Sequence, residues 1–366
     1  MSAAKVYFPN LDGLRFLAAS LVVVHHTENI KALLDLPHTS SLEQWDQIGH
    51  LGVLLFFAIS GFLITYLLLQ EEEAHGRFKV RNFQMRRILR IWPLYFLMVL
   101  LSLFVLPLIP VLHLPNTDAR VVITDWPQKL GLFILFIPTW VTAMVGPVPD
   151  AMHLWSIGTE EHFYLIWPVL LRLFKRYRLA LMIAVFIGYA AVYRSLAPGS
   201  EGSGTMQWYL LKYWANFNID CMAVGALMAL LFFRGHKALN VLVDLRLFLV
   251  VLLIVIVTMA VDPKGLVGYR AYSILYGVLV LNLAVNPRLS QLLEYPLLRY
   301  LGRISYGIYI YHIAVTMLVM HLFLRLNLPT DLLPYPFIFL FTIIVSWASH
   351  RFFESRFLRL RGRFRA

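Results

Sequence analysis

The chain is poor in charge, poor in acid and nearly without cysteine. Only 14% of its 366 residues are charged, and 20 acidic residues face 32 basic ones. Soluble domains carry about 25% charge and 45–50% apolar residues, so the 60% hydrophobic content here excludes an ordinary soluble globule. The single Cys221 excludes an internal disulfide and a cysteine metal cluster. No composition shift announces a second domain, so residues 1–366 read as one membrane domain with a basic cytoplasmic tail at 354–366. No convincing internal repeat is visible, which counts against transporter folds built from inverted repeats.

What is present is a series of long apolar runs. Leu51–Leu69, Ile91–Val111, Leu247–Val261 and Ile308–Leu324 approach or reach the ~20 residues needed to cross a hydrocarbon core. Spans near 12–29, 48–69, 89–108, 159–176, 179–197, 209–233, 244–261, 268–286, 304–324 and 335–353 predict an all-α polytopic bundle of about ten transmembrane helices. With the N-terminus inside, the 32 Lys and Arg residues distribute about three to one in favour of the inner side, the positive-inside pattern. Both termini are therefore expected in the cytoplasm, and the net charge of +12 reads as topology rather than nucleic-acid binding. Leu130–Val145 is apolar but short and carries Pro138. The same charge bias makes it a re-entrant or interfacial segment, which membrane depth tolerates only inside protein or along a cavity.

Ionisable residues inside the apolar runs mark the candidate site, because each costs roughly 2.5–3.5 kcal/mol at membrane depth. Asp12, Arg15 and the His25-His26 pair lie in the first span, with Arg15 and His26 ~16 Å apart along a helix axis. Arg15 has a bland reading, snorkelling to the inner face, which adjacent histidines deep in a helix do not share. Arg87 and Arg90 stand at i and i+3 on one helix face; they anchor topology, and they also suit bidentate phosphate binding. The segment from His153 to Tyr164 gathers Trp155, Ser156, Glu160, Glu161 and His162 at a helix mouth, an acid/base candidate. Capping by Ser156 or Thr159 explains one acidic residue there, not this density. His312, about 13 Å in from Arg303, is either a satisfied core histidine or a member of the site.

These segments, in this order and spacing, resemble the membrane-bound acyltransferase-3 family of integral-membrane O-acyltransferases over essentially the whole chain. Arg15 and His26, with ten residues between them, match its first-span hallmark. Gly52–Thr65 resembles the second-span motif, Arg87–Arg90 the paired-arginine motif, Trp155–Pro168 the serine-to-glutamate motif that assigns Glu160, and Leu301–His312 the late Gly-x-x-Ser-Tyr motif. Two positions depart from the pattern: Leu54 where an acidic residue is common, and His162 where a glutamine is usual. The chain ends after its last span, so a stand-alone form without an extracytoplasmic hydrolase-like domain is expected.

The resemblance implies a cytoplasmic acyl-CoA donor, most often acetyl-CoA, and a hydroxyl acceptor, with a bacterial surface polysaccharide or its lipid-linked precursor first among the choices. It implies a bacterial inner-membrane location and contact with membrane lipids; no metal is expected. His26 is expected to be the general base, Glu160 to orient it or stabilise its imidazolium, and Arg15, Arg87 and Arg90 to hold the donor's phosphates. Asp12, His25, Trp155, Ser156, Glu161, Tyr164 and His312 complete the set as supporting residues. The rival of another class is a proton-coupled transporter of a small polar or anionic solute, since buried His, Arg and Glu also build such pathways.

Overall fold

A computed structural model describes residues 7–38, 42–112, 119–198, 204–261 and 268–364. The described residues are overwhelmingly helical, with no strand among them. The principal helices are α1 (Leu11–Leu33), α2 (Leu42–His75), α3 (Val80–Phe104), α4 (Trp126–Ile134), α5 (Trp155–Leu173), α6 (Arg178–Leu196) and α7 (Met206–Phe217). They continue as α8 (Ile219–Phe233), α9 (Leu245–Val261), α10 (Gly268–Val285), α11 (Pro296–Arg303), α12 (Ser305–Arg325), α13 (Pro334–Ser349) and the short α14 (Ser355–Leu360).

Seven helical stretches are long and apolar enough to cross a membrane, and α9 is a shorter apolar helix. The chain is accordingly a multi-pass membrane protein. Two of the ten spans expected from sequence, those at α1 and α5, fall outside both groups. These are the two helices loaded with Asp12, Arg15, His25 and His26, and with Glu160, Glu161 and His162. Their polarity is that of the site they carry.

α2 is the axis of the bundle. Within its apolar window 78% of residues are buried, against 11% for the stretch containing α6 and 17% for the one beginning at α13. It packs on α1, α8 and α10. The α2–α8 crossing is close because small residues face each other's backbone. A Cβ on Gly61 would stand 2.0 Å from the Met222 carbonyl oxygen, and one on Gly225 would stand 2.2 Å from that of Ala58. Small residues let helices without a hydrophobic drive between them approach and gain dispersion contacts. Around this core, α9 turns Leu249, Val250, Leu253, Ile254, Ile256 and Val257 outward, the face a lipid would cover.

The expected non-crossing segment at Leu130–Val145 is broken. α4 is 9 residues long and ends before Phe136, whose φ is +58°. A single turn at Pro138–Trp140 and a π-turn at Val141–Val145 follow. No piece approaches the ~20 residues of a crossing. It packs on α3, α5 and α7, and its backbone lies close to α5 because Gly158 meets the Phe136 carbonyl.

Candidate functional site: an arginine-walled cavity beside a histidine pair

α1, α2, α3, α5 and α12 converge on a narrow cavity of about 60 Å³, lined among others by Arg15, Arg87, Arg90, Ser156, Glu160 and Tyr309. Residues from all four sequence segments therefore meet in one place.

The guanidiniums form one wall. Arg87 lies over the Tyr164 ring at 5.1 Å and the Phe83 ring at 5.6 Å. Such stacking, worth ~0.5–2 kcal/mol, fixes the head group without consuming its N–H donors. None of the ion pairs among the described residues involves Arg15, Arg87 or Arg90. Three planar, always-charged forks on one cavity have the donor geometry that phosphate oxygens accept.

Glu160 stands opposite. Its Oε1 accepts from Ser60 Oγ at 2.9 Å and its Oε2 from the Tyr164 hydroxyl at 2.8 Å. Glu161 is 2% exposed and accepts from Trp92 Nε1 at 2.7 Å, while its Oε1 is buried without a partner. No Glu160–His26 hydrogen bond exists in this arrangement. Glu160 is instead bound to α2 through Ser60 and to α5 through Tyr164, on the arginine side.

The partner of His26 is His312. Its Nε2 lies 3.0 Å from His26 Nδ1. The backbone carbonyls around them assign the protons. His312 Nδ1 is 2.6 Å from the Tyr309 carbonyl, which can only accept, so Nδ1 carries the hydrogen and Nε2 is an acceptor. His26 Nδ1 faces that acceptor and the Val22 carbonyl at 3.0 Å, so it also carries the hydrogen. The lone pair of His26 is left on Nε2, which has no protein partner among the described residues. α12 places His312 here because Ser305, Tyr309 and His312 fall at helical spacing on the face turned to the cavity and to α1.

The other predicted residues sort around these two poles. Ser156 donates to the Tyr309 hydroxyl at 2.6 Å, and Tyr309 donates to the His153 carbonyl at 2.8 Å. Tyr309 thus bridges α5's entry turn and α12. His25 packs edge-on to His26 with ring centres 4.6 Å apart, and its Nε2 meets Asn29 Nδ2 at 3.2 Å. Gly49 makes room for it, since a Cβ there would stand 2.3 Å from the His25 ring. Trp155 stacks on His50 at 5.5 Å. Asp12 sits apart, 3.9 Å from Arg303 Nε in a solvent-accessible pair. His162, the departure from the family pattern, turns away to the Leu135 carbonyl and Tyr213.

Four residues join the site that spacing did not assign: Ser60 and Trp92, which hold the two glutamates, Tyr309, and His153. His153 is 1% exposed, with its ring centre 5.1 Å from that of His312 and 6.4 Å from that of His26. Its Nε2 meets the Ile310 carbonyl at 3.1 Å while Nδ1 is buried and unpartnered. The sequence signal was available, since His153 opens the Trp155–Glu161 cluster. Among the described residues no group of three His, Cys, Asp or Glu is placed to hold a metal ion.

Comparison with known proteins identifies the family of the chain. The acyltransferase domain family matches residues 8–351. The chain is 26% identical to peptidoglycan O-acetyltransferase OatA of Listeria monocytogenes, over 85% of this chain and 50% of that protein. It is 27% identical to the putative peptidoglycan O-acetyltransferase YrhL of Bacillus subtilis, over 85% and 49%. It is 26% identical to a putative O-acetyltransferase of Staphylococcus aureus, over 96% and 57%. The chain spans about half the length of these relatives, and no solved structure matches it. With the match covering nearly all of its length and all the helices that build the cavity, the chain belongs to the acyltransferase-3 family.

Proposed function

We propose that the protein transfers an acetyl group from acetyl-CoA to a hydroxyl of a glycan, with His26 as general base. Relatives named as peptidoglycan O-acetyltransferases support a cell-envelope glycan or its lipid-linked precursor as acceptor. The positive-inside bias supports a bacterial inner-membrane location with both termini cytoplasmic, so the donor enters from the arginine side.

The observation that carries this reading is the connection between the two poles. Tyr309 lines the arginine-walled cavity, and its carbonyl holds the His312 ring whose Nε2 receives His26 Nδ1–H. A cavity this narrow suits an extended arm ending in a small acyl group better than a sugar ring. Arg15, Arg87 and Arg90 hold the donor's phosphates, and the thioester points toward α1 and α12. His26 Nε2 takes the proton of the acceptor hydroxyl as its oxygen attacks the thioester carbon. The C–S bond breaks, and the imidazolium returns the proton to the departing thiolate. His312 keeps the reactive lone pair of His26 on Nε2 and accepts from Nδ1–H throughout. Such a positioned base contributes ~10²–10⁴-fold.

The test is free-thiol release from acetyl-CoA by purified protein supplied with glycan acceptors. Release coupled to acetylation of the glycan supports the assignment. Binding and flux of a solute with no donor consumed would instead establish a transporter.

A further inference from the structure

The C-terminal segment folds back onto α3, the helix that brings Arg87 and Arg90 to the cavity. After α13 the helix passes through a π-turn at His350–Glu354, and α14 with the 3-10 turn Arg361–Phe364 packs against α3. Arg86 acts as the latch. Its Nη1 donates to the Phe364 carbonyl at 2.8 Å while its Nη2 pairs with Glu71 at 2.8 Å. The sequence reads this segment only as a basic cytoplasmic tail. Its arginines instead divide. Arg356, Arg359 and Arg363 are exposed, whereas Arg361 is half-buried.

Arg361 opens the turn that packs on α3, the helix that carries Arg86, Arg87 and Arg90. Its Nε is buried without an acceptor, and it forms no ion pair among the described residues. Arg15, Arg87 and Arg90 line one cavity and Arg361 lies in the turn packed on the helix of two of them, with no ion pair to a carboxylate at any of the four among the described residues. The nearby Glu160 already accepts from Ser60 and Tyr164. Like charges brought together away from bulk water repel strongly unless a counter-charge joins them. The latch places one more cation there when three exposed arginines of the same segment show that solvent was within reach.

We propose that Arg361 is a further phosphate-binding residue of the donor site, and that the C-terminal segment is a clasp closing that site around the multiply phosphorylated nucleotide part of a CoA-type donor. The proposal rests on the reading of acyl-CoA as donor. A lipid headgroup offers the same phosphate chemistry, but it would be met by the exposed arginines rather than by the half-buried Arg361 on α3.

The experiment is calorimetric titration of free CoA into the full-length protein in a detergent without anionic lipid. Arg361→Gln is expected to weaken CoA about tenfold, the loss of one charge-assisted contact. Arg359→Gln removes the same charge from the same segment and is expected to bind as wild type does. Arg361→Lys, which keeps the charge but not the fork, gives an intermediate affinity and serves if the glutamine variant fails to fold. Equal CoA affinity for wild type, Arg361→Gln and Arg361→Lys overturns this inference alone and returns the residue to lipid or structural duty. Equal weakening by Arg359→Gln also overturns it, since the effect would be general charge. A wild-type protein that does not bind CoA overturns the donor reading itself.

Discussion

His312 Nε2 lies 3.0 Å from His26 Nδ1, joining α12 to α1 across 286 residues of sequence. Because His312 is fixed in turn by the Tyr309 carbonyl, His26 keeps a defined tautomer with its lone pair on Nε2. His312 is a positioning residue. Its replacement by Ala leaves His26 Nδ1–H only the Val22 carbonyl as acceptor, a loss of one hydrogen bond worth roughly 0.5–1.5 kcal/mol, and is expected to lower kcat by about 2- to 12-fold with the donor KM little changed. His312→Gln, which returns an acceptor oxygen, is expected to recover part of the loss. Steady-state kinetics on both variants reads the split between kcat and KM.

The arginine wall makes the opposite prediction. Arg87→Ala or Arg90→Ala removes charge-assisted hydrogen bonds to phosphate worth ~1.5–3 kcal/mol. Each is expected to raise the donor KM roughly 10- to 150-fold while kcat at saturation holds. Loss of expression without a change in KM would instead favour a pure topology anchor.

Tyr164→Phe separates packing from charge balance around Glu160. The ring that Arg87 covers remains, but the 2.8 Å bond to Glu160 Oε2 goes. A carboxylate oxygen losing its donor is expected to cost roughly 1–3 kcal/mol, read as a lower midpoint of thermal unfolding in detergent. The same variant with an unchanged midpoint would show that water replaces the tyrosine.

The α2–α8 crossing predicts a purely structural failure. Gly61→Val places side-chain carbon where the Met222 carbonyl now stands. Overpacking of this kind costs ~1–3 kcal/mol or more, so little folded protein is expected by size-exclusion chromatography. A Gly61→Val protein as stable as wild type would contradict the closeness of the crossing.

The helical membrane bundle was legible in the apolar runs, and the site helices were marked by the residues that spoil those runs. Arg87 and Arg90 were placed on one face by spacing alone, because i and i+3 positions share a helix face whatever the partner helix does; Arg15, on another helix, joined them only through the donor chemistry that the resemblance implies. The pairing across helices was not legible. Whether His26 meets Glu160 or His312 depends on the rotation of α5 and α12 about their axes. Ser60 and Tyr164 capture Glu160 for reasons no single segment contains. His153 was visible as a neighbour of Trp155 but carries a role only once Ile310 and His312 are beside it. Nor did the tail's basic composition separate Arg361 from Arg359 and Arg363; the latch between Arg86 and the Phe364 carbonyl does that.

The most direct test of the account compares wild type with His26→Ala for acetyl transfer from acetyl-CoA to a peptidoglycan-derived acceptor, with both proteins shown to be folded and able to bind CoA. A fall of ~10²–10⁴-fold in transfer with CoA affinity unchanged is the expected result. Transfer by His26→Ala at the wild-type rate would contradict it.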